Sequence, residues 1–165
     1  MNPLDQLIFE GKSPPKKFKP FKDWKNSRLQ NVEVTMRLLT AGENDDITSS
    51  IGSLPITSQI SKIIMEQLAR SLVTINGEAV ASEENVRKYN ESHNLEGNQK
   101  ITATELVVMK LKDMDQSIID VLNNEYSNLQ KEHEESLREV KKKSPKNQET
   151  EPSGKSQKPP DLTES

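Results

Sequence analysis

Few side chains in this 165-residue chain are of types that make or break bonds, and their spacing does not bring them together. His93 and His133 stand far apart, and neither has a second ligand four positions on that would put two metal donors on one helical face. Asp45-Asp46 and the Asp113/Asp115 pair are the densest acids. Both suit the first turn of a helix, where a carboxylate meets the positive end of the dipole, better than a general acid–base pair. The six glycines are dispersed, so no loop cradles a phosphate, and there is no Gly-x-Ser-x-Gly elbow. With no cysteine, disulfides and thiolate metal sites are excluded, and a reducing compartment is compatible. The expectation is a protein without catalytic residues, metal or cofactor, whose chemistry is non-covalent binding.

The residues best suited to binding lie near the N-terminus. In Gly11 to Trp24, the rings of Phe18, Phe21 and Trp24 recur every third position among Lys16, Lys17, Lys19, Lys22 and Lys25. Pro14, Pro15 and Pro20 forbid a continuous helix and favour extended backbone. Rings interleaved with lysines can stack on bases, but no nucleic-acid-reading fold signature accompanies them. A clip onto the chain's own body or onto a protein partner is the favoured reading, and nucleic acid is disfavoured.

Composition bounds the rest. Only 31% of residues are apolar against 30% charged, and the mean hydropathy is -0.82. Globular domains run nearer ~45–50% apolar with glycine counted, so one domain of about a hundred residues with polar extensions is expected. The net charge of -3 hides a segregation. Residues 1–30 hold seven Lys/Arg against three Asp/Glu, residues 31–130 hold eight against fifteen, and residues 131–165 hold eight of each. A basic arm, 1–30, thus precedes an acidic, mainly helical domain, 31–130, and a polar helix extension with a disordered tail, 131–165. Met1 to Glu10 lacks a basic start and a long apolar run, which argues against a secretory signal. No stretch approaches the ~18 apolar residues that span a bilayer, so a membrane partner is not expected.

The elements that must position these residues follow from periodicity. Val32, Val34, Met36 and Leu38 alternate with polar neighbours, as in a half-buried strand. Thr40 and Glu43 have capping-box spacing, and the polar stretch Asn44 to Ser53 reads as a loop or weak helix. Ile56 to Thr74 predicts a helix with Ile60, Ile63, Ile64, Leu68, Leu72 and Ile75 in one stripe. Asn76-Gly77 is a hairpin turn, because both central positions need positive φ, and Val80 returns as a short strand. Ser82 caps a helix over Glu83 to about Glu91, with Val86 and Tyr89 inward, and Asn94 to Lys100 is a polar loop. Thr102 and Glu105 form a second capping box that opens the longest helical segment, with a break near Asp113 and Asp115. From Ile119 the apolar positions run Leu122, Tyr126 and Leu129, then give way to His133 and Ser136. This predicts a helix packed on the body to about Leu129 and projecting beyond it. Lys141 to Ser165, with Pro145, Pro152, Pro159 and Pro160, reads as a disordered tail. The expected fold is mainly α with a small β-hairpin or short sheet (α+β).

Three runs within Val32 to Leu137 resemble the tail assembly chaperones of tailed bacteriophages. Val34-Thr35-Met36-Arg37-Leu38-Leu39-Thr40 followed by Glu43 is similar to the family's opening strand and its R-x-L-T-x-x-E run. Leu68 to Glu78, LARSLVTINGE, is similar to a helix ending in LAR and an Ile-[Asp/Asn]-Gly turn. Ile118-Ile119-Asp120-Val121-Leu122 with Tyr126 and Leu129 is similar to the closing helix. The lysine- and aromatic-rich arm before Asn26 lies outside that pattern.

The resemblance implies a mainly helical protein that binds the long tape-measure protein, keeps it soluble during tail assembly and often exists also as a longer frameshifted form. It implies the host cytoplasm as the location, with room for self-association. A virion component of the tail or baseplate is the alternative, and a nucleic-acid-binding accessory protein the third. The partner-binding candidates are Phe18, Phe21, Trp24, Ile60, Ile64, Leu68, Ile119, Leu122 and Tyr126, as core plus groove, with Asn76 and Gly77 as the structural turn.

Overall fold

Two capping boxes and one abrupt helix-to-strand switch set the frame of the computed structural model, which describes residues 13–25, 27–52 and 54–143. The described residues form an α+β fold, mainly helical, with six helices and a four-stranded antiparallel sheet. In chain order the elements are β1 (Lys16–Phe18), α1 (Ser27–Gln30), β2 (Val34–Met36), α2 (Ala41–Ile51) and α3 (Ile56–Ser71). There follow β3 (Leu72–Ile75), β4 (Glu78–Ala79), α4 (Glu83–Ser92), a 3-10 turn (Gly97–Gln99), α5 (Ala103–Lys112) and α6 (Gln116–Lys143). The sheet order is β1-β2-β3-β4.

The middle of the sheet is buried on both sides. Val34 and Met36 point into the core, and Thr35 on the opposite side of the pleat is buried as well. A buried hydroxyl needs a partner. Thr35 finds one in Thr74, its register mate on β3, with the two Oγ1 atoms 2.8 Å apart. At the end of β3, Asn76 (φ +52) and Gly77 (φ +82) form the predicted turn. Asn76 also pairs with Glu33 in both directions: its N–H donates to the Glu33 carbonyl at 2.7 Å, and its Oδ1 accepts from the Glu33 N–H at 2.9 Å.

Three expectations are corrected. The helix predicted to run to Thr74 stops at Ser71, and Leu72–Ile75 form β3 with no intervening loop. Ser71 is fully buried, its hydroxyl donates to the Leu68 carbonyl, and its own carbonyl accepts the Arg37 N–H at 2.9 Å. From there the β-branched Val73, Thr74 and Ile75 favour the pleated strand. Second, the stretch read as a loop or weak helix is a full helix, α2, opened by the Thr40–Glu43 capping box. Third, Lys141–Lys143 belong to α6 and not to a tail. The rest of the expected tail, Asn26, Ser53 and Met1 to Lys12 lie outside the described residues.

The returning strand, expected at Val80, is Glu78–Ala79, with Val80 in the turn that follows it; most other elements fall where expected. Ser82 accepts from the Asn85 N–H at 3.1 Å, and Thr102 and Glu105 close the second capping box ahead of α5. Asp115 marks the break before α6, its carboxylate accepting from the Ser117 N–H and hydroxyl at 3.0 and 2.7 Å. The core joins β2 and β3 to α3, α5 and α6 through Met36, Leu68, Leu72, Leu111, Ile119 and Leu122, among others. Each such side chain removed from water contributes about 1.5–3 kcal/mol.

Candidate protein-binding surface

The N-terminal arm settles on its own body. β1 pairs antiparallel with β2, Lys16 opposite Met36 and Phe18 opposite Val34. Phe21 is 3% exposed within the core, and Trp24 packs edge-on against it at 5.0 Å between ring centres. Phe18 and Trp24 both pack against the core, so none of the three rings stands free. Lys16 pairs with Glu132 and Lys17 with Glu33 (3.1 Å), so the basic arm meets the acidic body directly.

Most of the partner-binding candidates are therefore interior. Phe21, Leu68, Ile119, Leu122 and Tyr126 belong to the core, out of reach of a partner in this conformation. Tyr126 is 1% exposed within the core, and burial raises its pKa. Phe18, Trp24 and Ile64 are half-buried at the margin of the core. Ile60 alone of the nine is exposed.

Ile60 belongs to a row that the sequence shows only in part. Ile56, Ile60, Ile64 and Leu68 recur every fourth residue along α3 and so share one side of it. Their exposure falls from 74% at Ile56 and 54% at Ile60 to half-buried at Ile64 and nothing at Leu68. Leu54, just ahead of the helix, adds 40% exposure. The first two turns of α3 thus leave Ile56 and Ile60 uncovered, whereas Leu68, near its other end, lies in the core with side chains of α5 and α6.

An open groove of about 510 Å3 runs between this part of α3 and α5. Thr57, Ser58, Ser61, Lys62, Met65 and Glu66 line it from α3, and Val108 and Lys112 from α5. Glu66 faces Arg70 at 3.5 Å, and Arg70 lies equally far from Asp46. Met109 and Met114, both partly exposed, lie near the end of α5. A larger cleft of about 690 Å3 runs beside α4, but its one buried polar side chain, Asn90, is already pinned to Ile101 by two hydrogen bonds.

His93 stacks on Tyr89 at 4.1 Å, with Nδ1 2.9 Å from the Ser92 hydroxyl and from the Tyr89 carbonyl. Among the described residues no cluster of His, Asp and Glu is arranged to hold a metal, no helix is long and apolar enough to cross a membrane, and no buried side-chain polar atom lacks a partner. What the surface offers is contact: apolar area at the start of α3 and a groove next to it. Sequence reasoning found Ile60 but missed Leu54, Ile56, Met65 and Val108. The available signal was the stripe's beginning at Ile56, directly after Pro55.

No protein-family model, curated protein or solved structure matches the chain.

Proposed function

We propose that this protein is a tail assembly chaperone of a tailed bacteriophage, which binds the tape-measure protein non-covalently in the host cytoplasm and keeps it soluble. The observation that carries the reading is the start of α3, where Leu54, Ile56 and Ile60 present apolar area to solvent on a highly charged chain. Contiguous exposed apolar surface rimmed by polar groups marks a protein-binding site. A helical partner prone to aggregation is held by such a surface through helix-in-groove contact. The three sequence runs that resemble the chaperone family supply the identity of the partner. The work is done by contact alone, with no bond made or broken.

On this reading a long coiled-coil protein is expected to be encoded next to this one, and the test is co-expression of the two. The wild-type chain should keep that protein in the soluble fraction, and Ile56→Ser/Ile60→Ser should not. Mass spectrometry of purified virions decides the alternative, a structural component of the tail or baseplate. Stoichiometric copies in mature particles would overturn the chaperone reading.

A further inference from the structure

We infer that the groove between α3 and α5 selects amphipathic helices whose apolar row is flanked by Asp or Glu. The inference rests on the protein-binding reading above and specifies the chemistry of the partner. Small exposed side chains, Thr57 and Ser61, border the groove one helical turn apart, and the half-buried Met65 and Val108 are its apolar lining. An open groove of about 510 Å3 is too small to engulf a helix, but it accepts one row of side chains from a helix laid along it. Met65 has an unbranched, polarisable side chain that adapts to rows of different shape.

The charges decide the flanks of that row. Lys62 stands on the α3 side and Lys112 on the α5 side. Among the described residues neither is in a salt bridge, and the Lys62 ammonium donates only to the neutral Ser50 carbonyl. Glu66, the one acid in the groove, faces Arg70. Two lysines outside any salt bridge among the described residues therefore border a groove that offers Met65 and Val108 as its apolar contacts. An occupant with carboxylates beside its apolar row gains an ion pair on each side, and one with lysines there meets like charge. This preference opposes the field of the whole body, since residues 31–130 carry fifteen acids against eight bases. Non-specific attraction would favour a basic peptide, so the two explanations predict opposite signs.

The experiment uses the full chain and two fluorescein-labelled helical peptides of about 18 residues, with the same leucine row, flanked in one by Glu and in the other by Lys. In fluorescence anisotropy the wild-type chain should bind the Glu-flanked peptide about tenfold more tightly, the yield of two partly exposed ion pairs. Lys62→Glu/Lys112→Glu should reverse the order, and Lys62→Gln/Lys112→Gln should abolish it, with circular dichroism checking that each variant is folded. Equal affinity for the two peptides, preference for the Lys-flanked one, or a preference that survives the Gln variant would overturn the inference. The chaperone reading fails separately, through the co-expression and virion experiments, which do not depend on which flank is preferred.

Discussion

Arg37 and Glu43 grip each other with two parallel hydrogen bonds, Nη1 to Oε2 at 2.8 Å and Nη2 to Oε1 at 2.5 Å. The same carboxylate accepts the Thr40 N–H at 2.9 Å, so a single acid closes a capping box and ties the end of β2 to the first turn of α2. Two-pronged guanidinium–carboxylate pairs are the stronger and more directional kind of ion pair. The Arg37 side chain, followed by burial acting against it and the Thr40 amide acting with it, brings the Glu43 pKa down from 4.5 to about 2.

Stability should therefore fall in acid through this group. A carboxyl whose folded pKa is depressed binds its proton more readily when unfolded. Its contribution is present in full above about pH 4.5 and is lost as the pH drops toward 2. Glu43→Gln should cost about 1–2 kcal/mol at pH 7, through the weakened pair and cap. In urea melts across pH, the gap between wild type and variant should close toward pH 2. A gap that stays constant would show that the pair adds nothing to stability.

Phe21→Ala should destabilise the whole domain by about 3 kcal/mol, because the ring is a core side chain and also the support for Trp24. Lys22→Ala, exposed one position on, should change stability by less than about 0.5 kcal/mol. Urea midpoints of the two variants make the comparison. An unchanged midpoint for Phe21→Ala would mean that the arm is only loosely attached.

The local signals in this chain were legible because they depend on neighbours in sequence. The two Thr-x-x-Glu boxes, the Ser82 cap and the Asn76-Gly77 turn each need only a few adjacent residues to have their effect. α2 was obscured because Asn44, Asp45, Asp46 and Thr48 are poor helix formers and only Ile47 is buried. Its helix is secured at the start by Arg37, which belongs to the preceding strand segment. That Tyr126 packs inward was legible, but not that it comes to lie near Leu39 and Arg37, distant in sequence. The same limit applied to the candidate surface. Ile56 and Leu68 look alike in a periodic stripe, and only the lengths and placement of α2, α5 and α6 decide which is covered.

Gly77→Val should destabilise the hairpin by about 1–3 kcal/mol through backbone strain alone. Gly77 sits at φ +82 with nothing within 4 Å of where a Cβ would stand, so no clash contributes. Gly42, equally open but without a positive φ, is the control, and Gly42→Ala in the first turn of α2 should be neutral or slightly stabilising. Thermal melts that rank the two variants the other way would assign the cost to something other than the turn.

The α3 stripe provides the last prediction, because four residues of similar type on one side of a helix should respond in opposite ways. Leu68→Ala removes a fully buried side chain from the core and should cost about 2–5 kcal/mol, depending on how far the cavity collapses. Ile56→Ser and Ile60→Ser act on side chains that are 74% and 54% exposed, where removal of the apolar group leaves no cavity. They should shift stability by no more than about 0.5 kcal/mol. The β-branched isoleucines also have slightly lower helix propensity than the best formers, so little helical preference is lost. Urea midpoints measure the stability of each variant, and light scattering of concentrated samples measures self-association. Exposed apolar area kept for a partner is a cost to the isolated chain, so the serine variants should scatter less while remaining equally stable. A loss of stability in Ile56→Ser or Ile60→Ser as large as that in Leu68→Ala would mean that the start of α3 is packed against the body, and the surface would lose its claim to bind anything.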